Sequence, residues 1–332
     1  VTHPRVLCLG EILFDYLADQ PGHSLKQVES WTPYPGGAPA NVACALARLG
    51  TPAGFIGCVG QDEPGDSLVR VLSQAGVDVT GIQRHKTAPT RAIYVLRSET
   101  GERDFAGFGE RDTTEFADTC LQSDQLPEEL FENAEFLVLG SLELAYPDSR
   151  KAIERAIHLA EQHYMKIVLD VNWRPVFWPD PGEAPQLILD LLPHVDFLKL
   201  SEEEAEWLLG ATDASSISHK LDSVEGVLIT AGVHGCSYCL GDTCSQVPAF
   251  PVKVADTTGA GDGFLAGFIH MLCQHGIGIL EDEEMAKKVV TYACAVGALT
   301  VTKPGAIAAA PNAGEVEAFL HSSAVGARNR VS

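Results

Sequence analysis

The chain has 332 residues, of which 45% are hydrophobic and 20% charged, and it carries a formal net charge of −22. That length buries a full core in one large α/β domain or two smaller ones, and the composition is that of a folded chain rather than a disordered one. The negative charge argues against nucleic acid or an anionic membrane as partner. No uninterrupted apolar run reaches membrane-spanning length. Val1–Arg5 leads into a strand with no secretory signal, so the expected location is the cytoplasm.

Arg5–Gly10 reads as a buried first strand, and Glu11–Ala18 as a second apolar stretch with Asp15 in its middle. A carboxylate is costly inside an apolar strand. Asp15 therefore marks a turn or edge, or it accepts hydrogen bonds from a polyol. Pro35-Gly36-Gly37-Ala38-Pro39 breaks the chain before a helix over Ala40–Leu49, closed by Gly50. Gly36 and Gly37 bring bare backbone close to a ligand. Asn41, one turn on, is either a plain first-turn polar residue or a sugar contact.

Alternation of strand and helix continues. The pattern predicts strands at Ala53–Val59, Phe136–Gly140, Lys166–Asp170, Asp196–Leu200 and Gly226–Thr230, and helices at Pro64–Ala75, Asp148–His163, Ala184–Leu192 and Glu281–Thr302. This is the rhythm of a mostly parallel sheet with helices on both faces. Two segments interrupt it, at about 12–34 and 91–108. The second predicts a hairpin of Arg91–Arg97 and Arg103–Phe108 turned at Glu99-Thr100-Gly101. Together they predict a small β-sheet standing off the main layers, a lid that excludes water from a site beneath it.

Five cysteines lie in apolar runs as core residues. Cys236-x-x-Cys239 with Cys244 lacks the second C-x-x-C or the histidines that complete a zinc site, so a plain β-hairpin is expected.

Asp256-Thr257-Thr258-Gly259-Ala260-Gly261-Asp262-Gly263 then opens an apolar helix. Small residues let N–H groups converge on one anion, and the helix dipole adds positive potential there. A carboxylate in such a cradle would repel phosphate unless it has work to do. Asp262 is either a cap residue or the base that takes a proton from a hydroxyl while Gly259, Ala260 and Gly261 hold charge on a phosphoryl group. The chain contains no G-x-x-x-x-G-K-[ST], no G-x-G-x-x-G after the first strand, and neither H-R-D nor G-x-S-x-G. Ser201-Glu202-Glu203-Glu204 has the spacing of a helix capping box.

Gly36-Gly37-Ala38-Pro39-Ala40-Asn41 together with Asp256–Asp262 resemble the two signatures of the ribokinase-like (PfkB) sugar kinases, and within them the fructokinases. Gly10–Asp15, Gly101–Phe105, Lys199–Glu204 and Gly297–Ala306 support the match in order over about residues 5–311. The resemblance implies a single ribokinase-like domain over 1–332, a three-layer α/β sandwich with a mostly parallel central sheet and the small β lid. It implies ATP and Mg²⁺ as cofactors, Asp262 as base, and Asp15, Gly36, Gly37, Asn41 and Asn172 beside the sugar, with Phe105 covering it. Arg174 resembles the basic position that reaches the transferring phosphate. Lys199, Thr230, Gly232 and Gly235 would join Gly259 and Gly261 on the nucleotide side, and Glu204 would orient Mg²⁺ through water. A monovalent cation, usually K⁺, would lie on backbone groups of Asp256, Thr258 and Gly305. Two positions depart from the family pattern: Ser201 stands for Asn, as in fructokinase-like sequences, and Trp173 stands where an aliphatic residue is commoner.

The activity this implies is transfer of the γ-phosphoryl of ATP to the 6-hydroxyl of D-fructose. The rivals are a kinase for another sugar or sugar acid, such as ribose or 2-keto-3-deoxygluconate, and a non-catalytic sugar sensor. Apolar Trp31, Tyr34 and Tyr94 on the lid suggest pairing with a second copy.

Overall fold

In chain order the strands are β1 (Val6–Leu9), β2 (Leu13–Ala18), β3 (Trp31–Gly36), β4 (Ala53–Gly60), β5 (Asp78–His85), β6 (Ala92–Arg97), β7 (Arg103–Gly107), β8 (Phe136–Leu139), β9 (Lys166–Asp170), β10 (Phe197–Ser201), β11 (Gly226–Thr230), β12 (Cys236–Leu240) and β13 (Thr243–Val247). The helices are α1 (Ala38–Leu49), α2 (Glu63–Gln74), α3 (Glu128–Phe131), α4 (Pro147–Gln162), α5 (Ala184–Leu191), α6 (Glu202–Leu209), α7 (Ala214–Ser218), α8 (Ala260–His275), α9 (Glu283–Thr300), α10 (Ala306–Ala309) and α11 (Ala313–Val331). The computed structural model describes residues 3–98, 103–221 and 223–331. The expected turn at Glu99-Thr100-Gly101 lies outside the described residues.

Nine strands form the main sheet in the order β13-β12-β11-β10-β9-β8-β1-β4-β5. Pairing is parallel from β11 to β5 and antiparallel only at the β11-β12-β13 end. Central strands of such a sheet are covered on both faces and so read as unbroken apolar runs. β1 is fully buried, Val6 and Cys8 entering one core and Leu7 and Leu9 the other. That alternation divides the helices into two layers. Helices α1, α2, α8 and α9 pack on the first face, and α4, α5 and α7 on the second. The result is the three-layer sandwich that the sequence pattern implies.

The two interrupting segments form a sheet of their own, in the order β3-β2-β6-β7. They are not an added edge of the main sheet. β3 carries Pro33 and Pro35 and is an edge strand, where a missing N–H costs no ladder bond. Tyr94 of β6 stacks on Tyr16 at 5.3 Å and meets Trp31 edge-on at 5.0 Å.

Two features depart from the sequence reading. Asp78–His85 is an eight-residue edge strand that the apolar pattern did not indicate. The β12–β13 hairpin is present, but Cys239 faces Cys244 in register and the pair is joined by a disulfide rather than left as a plain hairpin. No helix among the described residues is long and apolar enough to cross a membrane.

Candidate active site

One wall of the site comes from the turn between β3 and α1. Gly37 has φ +109°, and a Cβ there would sit 2.4 Å from the Glu11 carbonyl oxygen, so only glycine fits. Gly36 shows its bare face to Asp15, whose Oδ2 lies 3.0 Å from where a Cβ would be. Asp15 sits inside β2, paired with Tyr34 of β3 and Ile93 of β6, rather than at a turn or edge. Glu11 is buried behind this turn and accepts the Ala38 N–H at 2.7 Å. Burial pushes its carboxyl up to about 7.

The opposite wall is the turn into α8. Gly259 is left-handed at φ +80°, with Ala306 only 2.5 Å from a would-be Cβ. Gly261 and Asp262 lie in the first turn of α8, where N–H groups have no intrahelical acceptor and the dipole favours an anion. Asn41 of α1 reaches across and donates its Nδ2 to Asp262 Oδ2 at 2.8 Å. Asn41 Oδ1 is buried with no protein partner among the described residues, an open acceptor beside the carboxylate. Burial and then the charge of Asp170 raise the Asp262 carboxyl to about 6, against the opposing pull of Asn41, Lys199 and Arg174. A carboxyl poised there is ionised at neutral pH yet basic enough to take a proton.

Lys199 in the middle of β10 is buried, and its Nζ binds both oxygens of Asp170 on β9 at 2.8 Å. Burial opposes its charge, but Asp170 and Glu204 hold the ammonium above its ordinary value. The same Nζ lies 3.1 Å from the bare face of Gly261. Lys199 thus sits as a positive charge directly beneath the turn, outside the nucleotide-sized cleft described next.

That cleft, of about 490 Å³, opens beside the turn. Thr230, Gly232, Gly235, Ala260 and Gly261 line it, as do Phe250, Val252, Val254, Phe264, Cys294, Ala298 and Val301. Its volume and carbon walls have the size and chemistry of a slot for a flat aromatic group, and the first turn of α8 borders it. The expected nucleotide residues other than Lys199 and Gly259 therefore meet in one cavity.

Glu204 fulfils the capping box: it accepts Ser201 N–H at 2.7 Å, and Ser201 Oγ accepts Glu204 N–H at 3.1 Å. Its other oxygen accepts Trp173 N–H at 2.6 Å, tying α6 to the loop after β9. In that loop Asn172 is left-handed at φ 39°. Trp173 stacks on Trp207 of α6 with ring centroids 4.4 Å apart, which fills the aliphatic position with a larger surface. Arg174 is exposed and donates to the Trp173 carbonyl at 2.9 Å. Phe105 lies on β7, 36% exposed. The Asp256 carboxylate accepts Thr258 N–H and Oγ1–H and, at 3.0 Å, Gly305 N–H, so the three positions expected around a monovalent cation are neighbours.

The model of the pfkB family carbohydrate kinases matches residues 3–313. The chain belongs to this family. It is 36% identical over 318 residues to a probable fructokinase-2 of Arabidopsis thaliana, covering 95% of each chain. The fructokinase of Xylella fastidiosa solved with bound ATP superposes with a TM-score of 0.86 at 30% identity, covering 96% of this chain and 98% of that one. A double mutant of the Vibrio cholerae fructokinase, solved with fructose, ADP and potassium ion, superposes at 0.83 with 28% identity over 96% and 98%.

For this pfkB kinase the sequence reading missed Glu11, Asp170 and the carbon wall from Phe250 to Val254. Asp170 had a signal, a carboxylate closing an apolar strand at the sheet edge where α/β ligands gather. Glu11 had one too, following Gly10 at the end of β1. The Phe250–Val254 wall had none, being an irregular segment whose position depends on contacts distant in sequence.

Proposed function

We propose that the chain is a fructokinase that transfers the γ-phosphoryl group of ATP to the 6-hydroxyl of D-fructose. The observation that carries this reading is the α8 turn, which offers one carboxylate and several free N–H groups at the mouth of a base-sized cleft. Asp15, the bare backbone of Gly36 and Gly37, and the open Oδ1 of Asn41 supply acceptors and close approach for a neutral polyol, with Asn172 at its edge and Phe105 closing over it. Asp262 takes the hydroxyl proton as the sugar oxygen forms a bond to the γ-phosphorus and the bond to the ADP oxygen breaks. The N–H groups of Gly259, Ala260 and Gly261 and the Arg174 guanidinium meet the charge on the moving phosphoryl group.

Glu204 fits a hydrated Mg²⁺, because each carboxylate oxygen has one backbone donor and keeps a lone pair for water. When bound, the ion neutralises phosphate charge. A potassium ion at Asp256, Thr258 and Gly305 would shape the same turn, and the lid face with Trp31, Tyr34 and Tyr94 is the surface on which a second copy would pair. The test is a panel of sugars offered with MgATP and followed by ADP release, with the product's phosphate position read by ³¹P NMR. Consumption of fructose with phosphate at C6 is expected. Preference for ribose or a sugar acid, or binding of fructose without turnover, would overturn the assignment.

A further inference from the structure

A whole arginine that this mechanism does not use is buried between the lid and the main sheet. Arg91, 1% exposed, is forked onto Asp118 at 2.5 and 3.0 Å. It also donates to the Thr113 hydroxyl and carbonyl, each at 3.0 Å, and to the Tyr146 hydroxyl at 3.2 Å. Phe108, Phe116, Tyr146 and Phe177 surround its Cζ, with ring centroids between 4.7 and 5.5 Å away.

The residues around this cage lead to both sides of the site. Arg91 begins the first leg of the lid hairpin, and its carbonyl accepts Phe14 N–H at 3.1 Å, next to Asp15. Phe108 ends the second leg, and its ring meets Phe105 edge-on at 5.1 Å. Phe177 closes the short turn after Arg174, its N–H donating to the Arg174 carbonyl at 3.1 Å, and its ring packs on Phe108 at 5.6 Å. A desolvated guanidinium tolerates little slack, since loosening any one partner exposes an incompletely paired charge.

We propose that Arg91 is a positioning residue, holding the sugar-covering arm with Phe105 and the phosphoryl-side loop with Arg174 in one fixed relation. The inference rests on the sugar-kinase reading of Phe105 and Arg174 but not on which sugar is used. The test measures KM for sugar, KM for ATP and kcat on the full chain, with unfolding by denaturant alongside. Phe108→Leu should raise the sugar KM roughly tenfold and leave the ATP KM within about twofold, and Phe108→Tyr should restore it. Arg91→Lys, which cannot fork onto Asp118 or lie flat among the rings, should raise the sugar KM and lower kcat together. Folded variants in which both KM values rise equally, or neither moves, would overturn the proposal. If Arg91→Lys does not fold, the Phe108 pair decides alone. If the parent consumes a sugar other than fructose, the fructose assignment fails while these ratios, measured on that sugar, still judge Arg91.

Discussion

Asn41 and Asp262, 221 residues apart in sequence, meet across the cleft with Nδ2 2.8 Å from Oδ2. The contact joins the start of α1 to the start of α8, and it engages only one of the two Asp262 oxygens. Asp262→Asn should therefore bind sugar and ATP with little change while kcat falls by about 10²–10⁴-fold, the usual contribution of a positioned base. Calorimetric binding beside steady-state rates separates the two effects. Near-parental turnover would remove Asp262 from the mechanism.

The acid limb of the rate profile has a definite sign. Asp262 holds its proton up to about pH 6, so kcat/KM should be flat above that value and fall about tenfold per unit below it. The raised value also means that the native state binds this proton more tightly than the unfolded chain. Ionised Asp262 therefore destabilises the fold above about pH 6, an effect that vanishes toward the unfolded carboxyl value of about 3.9. Asp262→Asn should accordingly be more stable than the parent at neutral pH and equal to it near pH 4.

Asn41→Leu removes the hydrogen bond that holds the Asp262 carboxyl down. Its acid limb should move to higher pH, and the sugar KM should rise because Oδ1 is lost too. An unmoved limb would show that Asn41 does not tune the base.

The buried pair beneath the turn has an energetic signature. Lys199→Met leaves buried Asp170 beside Glu204 and Asp262 with its cationic partner gone, at a cost of about 3–5 kcal/mol. Lys199→Met with Asp170→Leu should recover most of it, read as a denaturant midpoint returning toward the parent. A single variant as stable as the parent would mean that the pair contributes nothing.

Much of this was legible from residue order because the informative residues are punctuators. Gly36-Gly37 and Gly259-Ala260-Gly261 declare tight turns, and apolar runs such as Lys166–Asp170 declare central strands. β5 escaped notice because an edge strand has one neighbour and needs no unbroken apolar run, and Asp78-Val79-Thr80-Gly81-Ile82 has none. Arg91 escaped for another reason. Its partners Asp118, Tyr146 and Phe177 lie up to 86 positions away and only the fold assembles them, so in sequence it resembles any arginine at the start of a strand.

The cleft beside the α8 turn also has a bearing on the choice of phosphoryl donor. Among its lining side chains hydroxyls occur only at Thr230 and Thr257, and the remainder of that wall is hydrocarbon, thiol or bare glycine. Such a slot sorts guests by thickness and outline and is poor at rejecting a same-shaped heterocycle that swaps an amino for an oxo group. A purine base seated there would be told apart by the side chains mainly through its shape, and similar kcat/KM values with ATP and GTP are the expected reading.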